Sequence, residues 1–101
     1  MKRTLGWLAA VLLAPGIAAT ARAGEALVAV AANYAGAAKA IGTAFEAKTG
    51  HAITFTTGST GKLHAQISQG APFDILLSAD ARTPQNLEAE GLSVAGSRFT
   101  Y

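Results

Sequence analysis

The sequence contains no cysteine, and this absence removes two common ways of stabilising a small protein. Disulfide bridges cannot form, and structural metal sites built from thiolates are excluded. Any folded domain in this chain must therefore be held together by packing and hydrogen bonding alone.

Charged residues are also scarce, and the few cationic ones are unevenly placed. Three of the eight lie within the first 23 positions, and from Gly24 onward five cationic residues face six acidic ones, a formal charge of −1. Nucleic acids and anionic membranes are bound through basic patches. The sequence therefore predicts no nucleic-acid partner.

The first 23 residues have the three parts of a secretory signal peptide. A positive start (MKR) precedes an apolar run over residues 5–19, and a small-x-small triplet (ARA) ends the segment before Gly24. A membrane anchor is the alternative, but the run is shorter than the roughly 20 residues that a bilayer requires, and Pro15 and Gly16 interrupt it. We expect cleavage between Ala23 and Gly24. Residues 24–101 then form one small domain or a piece of a larger one.

Beyond Gly24, short apolar runs alternate with helical patterns three times. Strands are predicted at residues 26–32, 51–57 and 74–78, and helices at 36–49, 61–69 and 83–90. Gly50, Gly70 and Gly91 are predicted to end the helices, and Thr83 is a possible N-cap of the third. This alternation is typical of an α/β fold with parallel strands, right-handed crossovers and helices on both faces of the sheet.

Small and polar residues follow each predicted strand, where ligands bind in open α/β sheets. The three junctions contain Asn33, the pair Ser59 and Thr60, and Asp80. A helix N-terminus with hydroxyl or amide neighbours can bind an anion without a full positive charge. The alternative is purely structural, because Asn33, Ser59 and Thr60 are also typical helix caps.

Catalytic patterns have little support in the sequence. GSTGK at residues 58–62 is similar to a phosphate-binding loop, but Thr56 and Leu63 stand where that loop requires Gly and Ser or Thr. His51 and His64 are expected to be exposed, and Asp80 is expected to cap the turn that follows it. A hydrolase that uses Asp80 or His64 is the alternative from another functional class.

Three segments together resemble a known family, the periplasmic molybdate-binding proteins of ABC transporters. They are VAVAANYAGAAKAI at residues 28–41, FTTGSTGKLHAQISQGAPFDILLSAD at 55–80 and LEAEGLSVAGSRFTY at 87–101. The resemblance implies a type II periplasmic-binding-protein fold, whose two lobes close over one tetrahedral oxyanion. It also implies that this chain holds only the first lobe, because family members are much longer.

The resemblance further implies a site and a role. The oxyanion ligands on this chain are Asn33, Ser59 and Thr60, with molybdate, or tungstate, contacted through Asn33 and Thr60. The protein would be a monomer in the periplasm, without a cofactor or enzymatic activity, and would deliver the ion to a membrane permease. Asn33 and Thr60 stand where the family often has Ser, which leaves sulfate-type anions open. A truncated chain that binds nothing is the other alternative.

Overall fold

The computed structural model describes residues 24–101, so the predicted signal peptide and its cleavage site lie outside the described residues. The elements follow one another as β1 (Glu25–Ala31), a 3-10 turn (Ala32–Tyr34), α1 (Ala35–Thr49), β2 (Ala52–Gly58), α2 (Thr60–Ser68), β3 (Ile75–Leu77) and α3 (Arg82–Ala89). Each of the six elements expected from the sequence is present, with ends within one residue of the predicted ones. No helix among these elements has the length and apolar character needed to cross a membrane.

The three strands form one parallel sheet in the order β2-β1-β3. β1 lies in the centre, paired along its whole length with β2 and over Val28–Val30 with β3. Because β1 has a strand on each side and a helix against each face, its last four residues are all buried. The α/β fold class is thereby confirmed, and the continuous apolar run in β1 reflects burial on both faces.

Helices cover both faces of the sheet, as expected. α1 packs against β2 and β1 so closely that a Cβ atom at Gly42 would lie 2.8 Å from the Phe55 ring. α2 packs on the opposite face, where the fully buried Leu63 lies 3.5 Å from the Cβ position of Gly58. A side chain at Gly42 would force α1 or the Phe55 ring to move, whereas a Cβ at Gly58 would make only ordinary contact with Leu63.

The predicted helix ends are confirmed by their backbone conformations. Gly50 adopts a left-handed conformation with φ of 77°, and its N–H donates to the Glu46 carbonyl at 2.8 Å. Gly70 and Gly91 likewise have positive φ values of 97° and 76°. Only glycine reaches this region at little cost, so each of these positions stops its helix and turns the chain.

The face of the sheet under α1 is only partly covered. A groove of about 320 Å³ lies between α1 and the strands, with almost entirely apolar walls. Ile41, Phe45 and Ile75 border it and are 58%, 43% and 49% exposed. Apolar side chains such as those lining this groove stabilise a fold only when other apolar groups shield them from water.

Candidate functional site

The carboxyl ends of the three strands meet at one edge of the sheet. Ala31 at the end of β1 pairs with Gly58 at the end of β2, and Val30 pairs with Leu77 at the end of β3. The three polar junctions that follow the strands are therefore neighbours, as the parallel topology requires. This edge is the candidate functional site.

Asn33 follows β1 in the middle of the 3-10 turn Ala32–Tyr34. The residues that precede the 3-10 turn and α1, Ala31 and Tyr34, make no side-chain cap. Asn33 is exposed, and its side chain is hydrogen-bonded to no other residue within 24–101. Its amide is therefore open to solvent rather than used as a helix cap in this part of the chain.

Ser59 and Thr60 begin α2 at the end of β2. Ser59 is the N-cap, and its hydroxyl accepts a hydrogen bond from the Lys62 N–H at 3.2 Å. Thr60 is the first helical residue, and its half-buried hydroxyl accepts from the Ala79 N–H at 3.3 Å. Ser59 therefore caps α2, as the structural alternative predicted. Thr60 instead connects α2 to the third junction.

The third junction is built around Asp80. Its Oδ1 atom accepts from the Thr83 N–H at 2.9 Å and from the Ser78 hydroxyl at 3.2 Å, and the Asp80 N–H donates back to Ser78 Oγ. The bond from the Thr83 N–H is the main cause that lowers the pKa of Asp80. Asp80 therefore caps α3, as expected, but the prediction that Thr83 is the N-cap was wrong.

Tyr101 links the first and third junctions, and sequence reasoning missed it. Its hydroxyl donates to the Ser78 carbonyl at 2.7 Å, and its ring lies 4.8 Å from the ring of Tyr34. Partial burial, with a smaller contribution from Tyr34, raises the pKa of the Tyr101 phenol. The contact spans 23 residues of chain, and no local pattern encodes it.

An open groove of about 920 Å³ runs along β3 from this edge of the sheet. Asn33, Ser78, Ala79 and Asp80 line it at one end, whereas the C-terminal segment after α3 lines its other wall. Ser59 and Thr60 do not line this groove. The structure therefore connects Thr60 to Asn33 through the third junction rather than through one shared cavity.

The histidines are engaged elsewhere. His64 Nε2 lies 3.2 Å from Glu90 Oε1, and the His64 side chain is 26% exposed, so it is half-buried and not exposed as predicted. His51 is exposed as expected, and its Nδ1 accepts from the Gly24 N–H at the opposite edge of the sheet. In residues 24–101 neither histidine ring is hydrogen-bonded to a serine or threonine hydroxyl. The arrangement that a serine hydrolase uses is not formed by these residues.

Comparison with known proteins agrees with the fold and the motifs. The chain is 50% identical over 92 residues to the molybdate-binding protein ModA of Rhodobacter capsulatus, covering 91% of this chain and 36% of that protein. It is 48% identical over 101 residues to the molybdate-binding protein ModA of Azotobacter vinelandii, covering 100% of this chain and 40% of that protein. The chain thus spans well under half the length of both relatives.

Solved structures show the same relationship. The periplasmic molybdate-binding protein of Azotobacter vinelandii superposes with a TM-score of 0.73 at 39% identity, over 74% of this chain and 32% of that one. The substrate-binding domain of a putative molybdenum ABC transporter from Clostridium difficile superposes with a TM-score of 0.63 at 29% identity, over 67% and 30%. The expected lobe of a periplasmic binding protein is therefore confirmed. Residues 26–101 match the family model for bacterial extracellular solute-binding proteins, and the chain belongs to that family.

Proposed function

We propose that this chain is part of a periplasmic protein that binds molybdate, or tungstate, and delivers it to an ABC importer. The observation that carries the proposal is the meeting of three polar, mostly uncharged strand–helix junctions at one edge of the sheet. Two relatives named as molybdate-binding proteins share about half of their aligned residues with this chain, which supports the same ligand here.

The hydrogen bonds at the second junction favour an anion that offers only acceptors. Ser59 and Thr60 each accept a backbone N–H, from Lys62 and Ala79. A hydroxyl has one proton and two lone pairs, so a hydroxyl that already accepts one bond retains its proton for donation. Molybdate, tungstate and sulfate are unprotonated tetrahedral dianions at neutral pH, and such donors match them.

We assign Asn33, Ser59 and Thr60 as the oxyanion ligands contributed by this chain, with the direct molybdate contacts from Asn33 and Thr60. The exposed amide of Asn33 offers N–H donors at the end of β1, and Thr60 lies at the N-terminal end of α2, where the helix dipole favours negative charge. The remaining contacts would come from the greater part of the relatives' length that this chain does not span. No cofactor is required, and the proposed protein works as a monomer beside a membrane permease.

Calorimetric titration of the full-length protein with molybdate, tungstate, sulfate and phosphate tests the function directly. We expect tight, saturable binding of molybdate and tungstate, and weaker binding of sulfate and phosphate. Preferential binding of sulfate would show that the site belongs to a different oxyanion. No binding of any of the four ions would contradict the proposal.

Lys62 is expected not to be a direct ligand, although it lies two residues after Thr60. Its side chain is exposed, and only its backbone N–H contacts the site, by donating to Ser59. Lys62→Ala should therefore change the free energy of molybdate binding by less than about 1 kcal/mol, the usual limit for an exposed charge. Titration of this variant beside the unsubstituted protein measures the change. A hundredfold loss would place the ammonium on the ion.

Export is expected to leave Gly24 as the first residue of the mature protein. The family is extracellular, and the sequence before Gly24 has the features of a cleaved leader. Mass spectrometry of the exported protein gives the N-terminus directly. A mature mass that still includes residues 5–19 would contradict the assignment and indicate an uncleaved anchor.

A further inference from the structure

The loop Ser78-Ala79-Asp80, which we call the β3 loop, has contacts that neither the fold nor the ligand assignment explains. It touches the second junction through the bond from the Ala79 N–H to the Thr60 hydroxyl. It touches the first junction through Tyr101, which donates to the Ser78 carbonyl and packs on Tyr34 beside Asn33. The β3 loop is thus bonded directly to the second junction and is linked to the first junction through Tyr101.

The Ala79 N–H fixes the direction in which the Thr60 hydroxyl donates. One lone pair of Oγ1 receives this N–H at 3.3 Å, which turns the hydroxyl proton away from the β3 loop. Within residues 24–101 that proton has no protein acceptor, and Thr60 is half-buried. A donor held in one direction before the ligand arrives loses less freedom when it binds.

Asp80 holds the Ala79 N–H in place. One carboxylate oxygen, Oδ1, accepts both from the Thr83 N–H at the start of α3 and from the Ser78 hydroxyl. The Asp80 N–H returns a bond to the same hydroxyl at 3.2 Å, so both residues that flank Ala79 are fixed to each other and to α3. Without the carboxylate, the peptide that carries the Ala79 N–H would keep only the bond from the Tyr101 hydroxyl to its Ser78 carbonyl, and it could turn more easily away from Thr60.

We infer that Asp80 is a positioning residue for oxyanion binding, which acts by holding the β3 loop so that the Ala79 N–H orients the Thr60 hydroxyl toward the ligand. The inference rests on the proposed function. It assigns Asp80 no contact with the anion, since a carboxylate beside a dianion would repel it. The Asp80 carboxylate caps the N-terminus of α3. Asp80 influences the site only indirectly, through the bond from the Ala79 N–H to the Thr60 hydroxyl.

A double-mutant cycle on the full-length protein separates this role from general support of the fold. Asp80→Ala should weaken molybdate binding about three- to tenfold, within the coupling observed for neighbours in one hydrogen-bond network. In a Thr60→Val background, the same change should alter affinity by less than about twofold, because the hydroxyl that Asp80 positions is gone. Asp80→Asn should restore near-normal affinity, because Asn caps helices as well as Asp does.

Ser78→Ala is the second probe, because it removes the tie between Ser78 and Asp80 and leaves the bond from Asp80 to Thr83 intact. It should show the same dependence on Thr60, even if Asp80→Ala fails to fold. Glu46 is an exposed acidic residue near the other end of the sheet, so Glu46→Ala is the matched control for the loss of a negative charge. This variant should bind molybdate normally.

The outcomes distinguish the inference from the function on which it rests. Losses that depend on the Thr60 hydroxyl support the inference. Equal losses in the unsubstituted and Thr60→Val backgrounds would overturn the inference, and so would unchanged affinity in both Asp80→Ala and Ser78→Ala. Either result would leave the proposed function standing. Failure of the unsubstituted protein to bind molybdate would overturn the proposed function and the inference together.

Discussion

Replacing Thr60 by valine is expected to weaken molybdate binding about tenfold to a hundredfold. Valine keeps the shape of the side chain and the backbone N–H, but it removes the hydroxyl that accepts from Ala79. A hydrogen bond to a charged group contributes roughly 1.5–3 kcal/mol. Loss of the bond from the Thr60 hydroxyl to the anion should therefore reduce the affinity by the factor given above. Calorimetric titration of the full-length protein and the variant measures it.

Two further variants show whether the loss belongs to the ligand. Thr60→Ser keeps the hydroxyl and should retain most of the affinity. Asn33→Ala should reduce the molybdate affinity by a similar factor to Thr60→Val if the amide binds the ion. Within residues 24–101 that amide has no protein partner, so a loss of affinity would report its contact with the ion. Unchanged affinity in both Thr60→Val and Asn33→Ala would remove the site assignment.

Residues 24–101 expressed alone are expected not to bind molybdate with useful affinity. One lobe leaves the anion partly hydrated, so each donor competes with water and contributes only its modest net value. The lobe is also weakly packed, because the larger side chains that are completely enclosed are only Leu63 and Val30. Val94 and Phe99 are 76% and 78% exposed, in addition to the open apolar groove beside α1.

Circular dichroism and calorimetry of the isolated segment test this expectation, with the full-length protein as the control. We expect a broad thermal transition or aggregation, because small domains bury too little surface to be more than marginally stable. A sharp cooperative transition together with micromolar molybdate binding would show that the first lobe is sufficient by itself.

The periodic part of the fold was predictable because each element carries its own signal. Apolar runs predicted the three strands, helical patterns predicted the three helices, and the glycines after the helices predicted their ends. The 3-10 turn at Ala32–Tyr34 was not predicted, since three residues are too few to show a period. Thr83 was mistaken for a cap because Pro84 follows it, whereas Asp80, three residues earlier, supplies the acceptor.

The candidate site was predictable only in its location. Parallel strands bring their carboxyl ends together whatever the side chains are, so the positions of Asn33, Ser59 and Thr60 at one edge followed from topology. The contacts of Thr60 with Ala79 and of Tyr101 with Ser78 join residues 19 and 23 positions apart. Such contacts depend on how loops settle after the sheet has formed, and sequence periodicity does not report them.

The central position of β1 also determines how this lobe can fold. Its two partners lie far along the chain, since Glu25 pairs with Ala52 and Val28 pairs with Ile75. Hydrogen bonds from the Gly24 and Leu27 N–H groups to the His51 and Asp74 side chains likewise span 27 and 47 positions. Parallel strands cannot be joined by a tight hairpin, so each pairing requires a long loop to close first. Pairings between residues far apart in the chain slow folding. β1 can pair with β2 once residues 52–58 are available, but its other edge stays unpaired until β3 follows, and an unpaired apolar strand edge favours aggregation during folding.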